Sequence, residues 1–277
     1  MGCNVKTKME LIKFSWAIFN VFSIILVMFL FGCSKTHKNS INIVGSTSVQ
    51  PFAEMLAQEF ERLNPGVHVE VQGGGSTAGI QSVLQNIADI GTCSRQLAGS
   101  ETNLNSILIA KDGLAIVVHP SNSIDNLSRE QIRDIFSGKI TSWKELGGKD
   151  QPIRIITREE GSGTREAFVK MVMGKSRISR KALNQESNGA VKELVKNDPC
   201  GIGYMSLGLV GNELKMVSVD GIKPTIDEAK AGKYPLVRPF LFVTKNEIKP
   251  ESQKFIDFVL SSNAQEILRR EGLIPIK

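Results

Sequence analysis

The sequence predicts an α/β protein of two lobes, each a mixed sheet flanked by helices, joined by a hinge of two strands. Short apolar, β-branched runs alternate with stretches of helical spacing, the pattern of βαβ units with helices on both faces. The chain has 277 residues, 41% of them hydrophobic and 22% charged, enough for two modest cores. Three short runs of glycine and hydroxyl residues, at 45–48, 73–77 and 161–164, each lead straight into a helical pattern. In open α/β sheets such loops fall beyond the carboxyl ends of the strands, where ligands bind.

The first segment reads as an export signal. Lys6, Lys8 and Lys13 precede an apolar stretch over 14–31 that ends in Leu30-Phe31-Gly32-Cys33, and a polar run follows over 34–40. Charge, then an apolar core, then small residues is the order of a secretory signal. About 18 apolar residues also reach the lower limit of a membrane span, so an uncleaved anchor is the alternative. The cysteine at the cut point makes the segment resemble a bacterial lipoprotein signal. That resemblance implies a signal peptide over 1–32, lipid on Cys33, a tether over 33–40, and a folded part held at the extracytoplasmic face of the cell membrane.

The elements then follow in order. A strand over 41–44 leads to a helix over 51–63, with Phe52, Met55, Leu56 and Phe60 on one face. A strand over 67–71 precedes a helix ending near Ile87, and a short apolar strand follows at 88–91. Leu114 to Val118 is a buried strand stopped by His119-Pro120. Ser128 caps a helix over 129–136, with Glu130 and Gln131 in its first turns and a turn at Ser137-Gly138-Lys139 beyond. Glycines 147 and 148 turn the chain into a strand over 153–156, and a helix over 165–173 follows the third loop. A helix over 190–196, strands over 201–205 and 237–243, and an amphipathic helix over 251–271, interrupted near Ser262, complete the chain. The chain is expected to cross between lobes near 117–120 and 234–240. That places lobe I at 41–117 plus 240–277 and lobe II at 118–239.

Several function classes recede on composition. The net charge is +6, of which residues 1–32 carry +2, and the remaining excess is spread out. No basic stripe with interleaved aromatics marks a nucleic-acid binder. The three histidines, His37, His68 and His119, have no metal-ligand spacing, so no metal and no cofactor is expected. Neither a Gly-x-Ser-x-Gly elbow nor a Gly-x-x-x-x-Gly-Lys-Ser/Thr loop occurs. A secreted phosphoester hydrolase is the weaker alternative, and the chain reads as a non-enzyme. Cys93 and Cys200 could bridge in an exported protein, but nothing in their spacing requires it.

What the loops suggest is a cage for a small tetrahedral oxyanion. A helix start offers unpaired N–H groups and the positive end of the macrodipole, and Ser or Thr adds a hydroxyl donor. Ordinary capping by the same hydroxyls is the plain alternative. Arg158, close before the third loop, supplies the cation. Arg95 and Arg165 could either pair with carboxylates or brace the cage, Asp89 reads as structural, and Trp143 and Tyr204 read as core or hinge packing.

The ordered set of motifs resembles a family. Val44-Gly45-Ser46-Thr47-Ser48-Val49-Gln50-Pro51, the glycine loop at 73–79, and Asp89-Ile90-Gly91-Thr92-Cys93-Ser94-Arg95 come first. Ile135-Phe136-Ser137-Gly138-Lys139-Ile140 with Trp143, Arg158-Glu159-Glu160-Gly161-Ser162-Gly163-Thr164-Arg165, Gly201-Ile202-Gly203-Tyr204 and Gly232-Lys233-Tyr234-Pro235 follow. Over 41–277 the chain is similar to the phosphate-binding lipoproteins of phosphate ABC importers. The resemblance implies a periplasmic-binding-protein-like fold of type II, acting as a monomer with the permease subunits of an importer in the membrane. It implies an inorganic phosphate held by Ser46, Thr47, Ser48, Ser76, Ser94, Arg158, Ser162, Gly163 and Thr164.

One departure bears on selectivity. Many members carry an aspartate where this chain has Ser94, and it accepts the proton on phosphate. Sulfate carries no such proton, so a carboxylate there repels it. Here discrimination is left to Ser94, to a backbone carbonyl, or to another acid such as Glu160, and sulfate is the alternative cargo.

Overall fold

The computed structural model describes residues 39–276, and these belong to one compact unit. The expected signal peptide, the lipidated Cys33 and most of the tether lie outside the described residues. No helix of the described residues is long and apolar enough to cross a membrane.

The first lobe opens with β1 (Ser40–Gly45), α1 (Gln50–Leu63), β2 (His68–Gly73), α2 (Ser76–Leu84) and β3 (Ile90–Cys93). β1 pairs in parallel with β2 on one side and β3 on the other, as right-handed βαβ crossovers require. The long β4 (Asn105–Val118) then runs antiparallel to β10 (Val237–Thr244) over residues 105–113. β10 pairs antiparallel with β3 on its other edge and so closes this sheet.

At Gly113 the long strand changes partners. Its second half, from Leu114 to Val118, pairs with β8 (Gly201–Ser206) and β9 (Lys215–Val219), both antiparallel. β6 (Arg154–Arg158) continues the sheet in parallel with β8 and carries β7 (Leu183–Gln185) on its outer edge, while β5 (Asn126–Leu127) pairs with β9. Helices α3 (Arg129–Ser137), α4 (Gly163–Phe168), α5 (Asn188–Asn197) and α6 (Ile226–Lys230) belong to this half of the chain, and α7 (Pro250–Val259) and α8 (Ser262–Arg270) follow β10. The strand order β2-β1-β3-β10-β4-β8-β6-β7 makes one continuous path through both sheets. The mixed character expected of the sheets is what the pairing shows.

Alternation along β4 covers both faces of its sheet. Leu114, Ile116 and Val118 enter a core with Phe136, Trp143, Phe168 and Tyr204, while Ala115 and Val117 meet Ile156, Val191 and Val195 on the opposite face. The other lobe does the same, with Phe52, Leu56, Phe60, Phe242 and Phe255 on one side and Ile80, Val83 and Val243 on the other. At about 1.5–3 kcal/mol for each large side chain fully buried, these layers hold helices on both faces of each sheet.

Local signals behave as their chemistry dictates. Ser128 Oγ accepts from Gln131 N at 3.1 Å while Gln131 Oε1 accepts from Ser128 N at 2.8 Å, and Gly138 ends α3 in the left-handed conformation. The interruption expected near Ser262 is a break between two helices, with Ser261 capping α8 through Ala264 N. The helix over 165–173 is α4 followed by a wider, π-type segment at Val169–Met173. Trp143 and Tyr204 are core residues, and Tyr204 stacks on Phe168 at 4.0 Å.

Candidate anion-binding site

The three loops meet. Ser46, Ser48, Ser76, Ser94, Arg158, Ser162, Gly163 and Thr164 are all buried, and Thr47 is half-buried beside them. Ser46 Oγ donates to Ser94 Oγ at 2.9 Å, Ser94 N donates to Ser76 Oγ at 3.1 Å, and Ser48 Oγ lies 2.7 Å from Thr164 Oγ1. Gly163 packs directly on Ser76 and Ser94, since a Cβ there would collide with Ser76 Oγ and stand 2.7 Å from Ser94 Oγ.

Local capping of the loop backbone accounts for Ser46, whose Oγ accepts from Ser48 N at 3.3 Å, but not for Ser48 or Ser76. α1 follows Val49 and α2 follows Gly75, and neither helix start receives a side-chain cap. Gly75 takes φ 91°, a conformation that favours glycine, and this delivers Ser76 to the cluster as the first residue of α2. In the third loop Ser162 does cap, accepting from Arg165 N at 3.3 Å, which leaves its own proton to donate.

Arg158 is the cation of the cluster and is only 1% exposed. Its Nε and Nη2 donate to the two carboxylate oxygens of Glu159, both at 2.9 Å, and to the carbonyls of Gln185 and Glu186, both at 3.1 Å. Nη2 also reaches Thr47 Oγ1 at 3.0 Å. The remaining nitrogen, Nη1, is buried with no hydrogen-bond partner. A buried guanidinium N–H left unpaired costs about 1–3 kcal/mol or more, so its position marks where an acceptor belongs. Tyr204 OH fixes the base of the side chain, accepting from Arg158 N at 3.3 Å, and Arg165 Nη1 donates to Arg158 O at 2.6 Å. Arg165 thus braces the cage, one of the two roles open to it.

The contacts join two lobes that are closed on each other. Beyond Ser48–Thr164 and Arg158–Thr47, Thr77 N donates to Gly161 O at 3.1 Å. Arg95, 7% exposed, forms a two-oxygen pair with Glu101 in its own lobe and meets Glu166 across the seam, Nε to Oε2 at 2.7 Å. The Glu101 bond raises the Arg95 guanidinium further, and Arg95 holds the Glu101 carboxyl below its ordinary value. Arg95 is therefore an ion-pair residue at the rim.

Glu160, one of the three candidates for the proton acceptor, is exposed, while its neighbour Glu159 holds Arg158. Asp89 is structural, accepting from Asn42 N at 2.9 Å and pairing with Lys249. Cys93 and Cys200 are free, and burial pushes the Cys93 thiol up. Among the described residues no group of three His, Cys, Asp or Glu side chains could hold a metal ion.

Sequence reasoning missed a second buried cation. Arg238 and Asp112 are register partners on β10 and β4, paired at 2.9 Å and almost wholly buried. Burial pushes the Asp112 carboxyl up and the Arg238 guanidinium down, each opposed by the attraction of its partner. Arg238 Nη2 reaches Ser48 Oγ at 3.1 Å, and Asn188 Nδ2 reaches the same oxygen at 2.8 Å. A charged residue inside the β-type run at 237–243 was the available signal.

Comparison with known proteins shows the family and the fold. Residues 34–263 match the family model for the PBP superfamily domain. The phosphate-binding protein PstS of Bacillus subtilis is 32% identical over 243 residues, which span 86% of this chain and 81% of that protein. A crystal structure from Clostridium perfringens, of a substrate-binding protein assigned to a phosphate ABC transporter and containing bound phosphate, is 40% identical. It superposes with a TM-score of 0.84 over 86% of this chain and all of the other. An ABC-type phosphate transport receptor from Vibrio cholerae is 39% identical, with a TM-score of 0.72 over 84% of this chain and 99% of its own.

Proposed function

The chain belongs to the PstS phosphate-binding proteins of the PBP superfamily, and from that membership we propose that it captures inorganic phosphate between its lobes and delivers it to an ABC importer. The observation that carries this reading is the buried, unpartnered Nη1 of Arg158, on a guanidinium that reaches Thr47 of the first loop while hydroxyls of all three loops meet. No chemistry is involved. Open lobes admit the hydrated anion, the loops replace its water shell with fixed donors, and closure buries it.

The proposed direct ligands are Ser46, Thr47, Ser76, Ser94, Arg158, Ser162, Gly163 and Thr164, with Ser48 belonging to the same cage behind Thr164. Ser94 takes the proton of hydrogen phosphate. Its Oγ already accepts from Ser46 and lies 3.4 Å from Ser76 Oγ, so a modest turn of either hydroxyl presents an acceptor. A hydroxyl pair can donate as well as accept, so it rejects sulfate less sharply than a carboxylate. In this reading the chain is a monomer, anchored through lipid on Cys33 at the extracytoplasmic face, and docks on the permease subunits of the importer. Deleting the gene should abolish high-affinity uptake of radiolabelled phosphate, and Cys33→Ser should release the protein from the membrane. Unchanged uptake in the deletion strain would refute the transport role.

A further inference from the structure

Ser48 sits where four buried side chains converge from both lobes. Asp112 and Arg238 face each other across β4 and β10 beside Gly113, the point at which β4 leaves one sheet for the other. Arg238 Nε and Nη2 both hold Asp112 Oδ2, at 3.0 and 2.9 Å, and Nη2 continues to Ser48 Oγ at 3.1 Å. The other Asp112 oxygen accepts from Ser206 Oγ at 2.8 Å. Ser206 N donates to Asn188 Oδ1 at 3.1 Å. Because a backbone N–H can only donate, this bond fixes the Asn188 amide, and the atom facing Ser48 Oγ at 2.8 Å is Nδ2.

Proton counting then sets the direction of the remaining bond. Arg238 and Nδ2 of Asn188 can only donate, so they occupy both lone pairs of Ser48 Oγ. The Ser48 proton must go to its third neighbour, Thr164 Oγ1 at 2.7 Å. Thr164 spends a lone pair on Ser48 and keeps its own proton for the cleft. Hydrogen bonds aligned head to tail polarise one another, so Thr164 becomes a stronger donor than an isolated hydroxyl. Arg238 has its carboxylate partner in Asp112 and Arg158 has one in Glu159, so what sets Arg158 apart is the unpartnered Nη1 that it keeps for an acceptor.

We propose that Asp112, Arg238, Ser206 and Asn188 are positioning residues that orient a hydroxyl relay from Ser48 to Thr164, making Thr164 an obligate donor to the bound anion when the lobes close. The proposal rests on the anion-binding reading of the cleft. It assigns Ser48 an indirect role: its proton is committed to Thr164, and it acts on the anion through that side chain. It also couples the crossing strands to the ligand, because the Ser48–Thr164 bond spans the two lobes and forms only in the closed arrangement.

Two thermodynamic cycles, read by calorimetric titration with inorganic phosphate on the whole protein, test the relay. Ser48→Ala alone should weaken binding about tenfold, the equivalent of one lost buried hydrogen bond. In the Thr164→Val background the same change should cost no more than about twofold, because the relay is already cut. Asn188→Ala should likewise cost about tenfold alone and no more than about twofold in the Ser48→Ala background. Thermal unfolding without phosphate shows which variants are folded, and if Asn188→Ala is not, the Ser48–Thr164 cycle decides alone. Equal losses in both backgrounds would mean that Ser48 meets the anion itself, and would overturn the relay. A parent protein that binds no oxyanion would overturn the anion reading and the relay with it.

Discussion

Replacing Arg158 by alanine removes the one buried guanidinium nitrogen of the cluster that is left for a ligand. Nη1 has no protein partner, so its contact with the anion is charge-assisted and contributes about 1.5–3 kcal/mol. Nη2 also holds Thr47 Oγ1 at 3.0 Å, and losing that bond loosens the first loop by a further ~0.5–1.5 kcal/mol. Together these give about 2–4.5 kcal/mol, or a phosphate Kd raised between about 30-fold and 2000-fold. Glu159 is 27% exposed and can regain water, so the fold itself should survive with a loss of about 1–2 kcal/mol. The assay is calorimetric titration at fixed ionic strength, paired with thermal unfolding. Phosphate at 100 times the parent Kd stabilises the parent by about 2.7 kcal/mol, and should stabilise Arg158→Ala by less than ~1 kcal/mol. A Kd within about threefold of the parent, in a folded variant, would show that another cation neutralises the anion and would refute the assignment.

Other substitutions test the remaining parts of the cleft. Gly163→Ala places a Cβ against Ser76 Oγ and Ser94 Oγ, so the lobes should fail to close: calorimetry should show no phosphate binding, and small-angle scattering should show no contraction with phosphate. Ser94→Asp restores a buried carboxylate and should weaken sulfate at least about tenfold more than phosphate, measured by competition, because sulfate offers it no proton. Glu101→Gln removes a carboxylate held below its ordinary value near 4.5 by Arg95. Such a group adds stability above that value and loses it as pH falls through the lowered one, so the variant should be less stable by about 1 kcal/mol near neutral pH. The difference should vanish in acid denaturant titrations.

The parts of the cleft that could be read from sequence are those built on chemistry local to the chain. Glycine and hydroxyl residues before a helix have few other purposes together, and Arg158 followed by 161–164 stood out for that reason. Ser128 with Gln131 and Gly138 likewise announced both ends of α3. What stayed hidden depends on partners distant in sequence. Asp112, which the sequence reading left unassigned, is fully buried and paired with Arg238, 126 positions away. Asn188 sits in a Glu-Ser-Asn-Gly stretch that reads as a loop, and only folding brings it to Ser48, 140 positions away. The first half of β4 went unread although Ile107-Leu108-Ile109-Ala110 is an apolar run, because Lys111-Asp112-Gly113 interrupts it; it continues as one strand because β10 lies beside it. Loop spacing also could not say which of two adjacent acids, Glu159 or Glu160, turns toward Arg158.

The central claim, a phosphate receptor without the usual buried aspartate, is tested most directly by titrating the fragment 34–277 in a calorimeter with phosphate and then sulfate near neutral pH. The account predicts tight one-to-one phosphate binding, with sulfate weaker by at least about tenfold because Ser94 and Ser76 accept the phosphate proton that sulfate lacks. Sulfate binding as tight as phosphate, or tighter, would contradict it and make the cage a receptor for a different oxyanion.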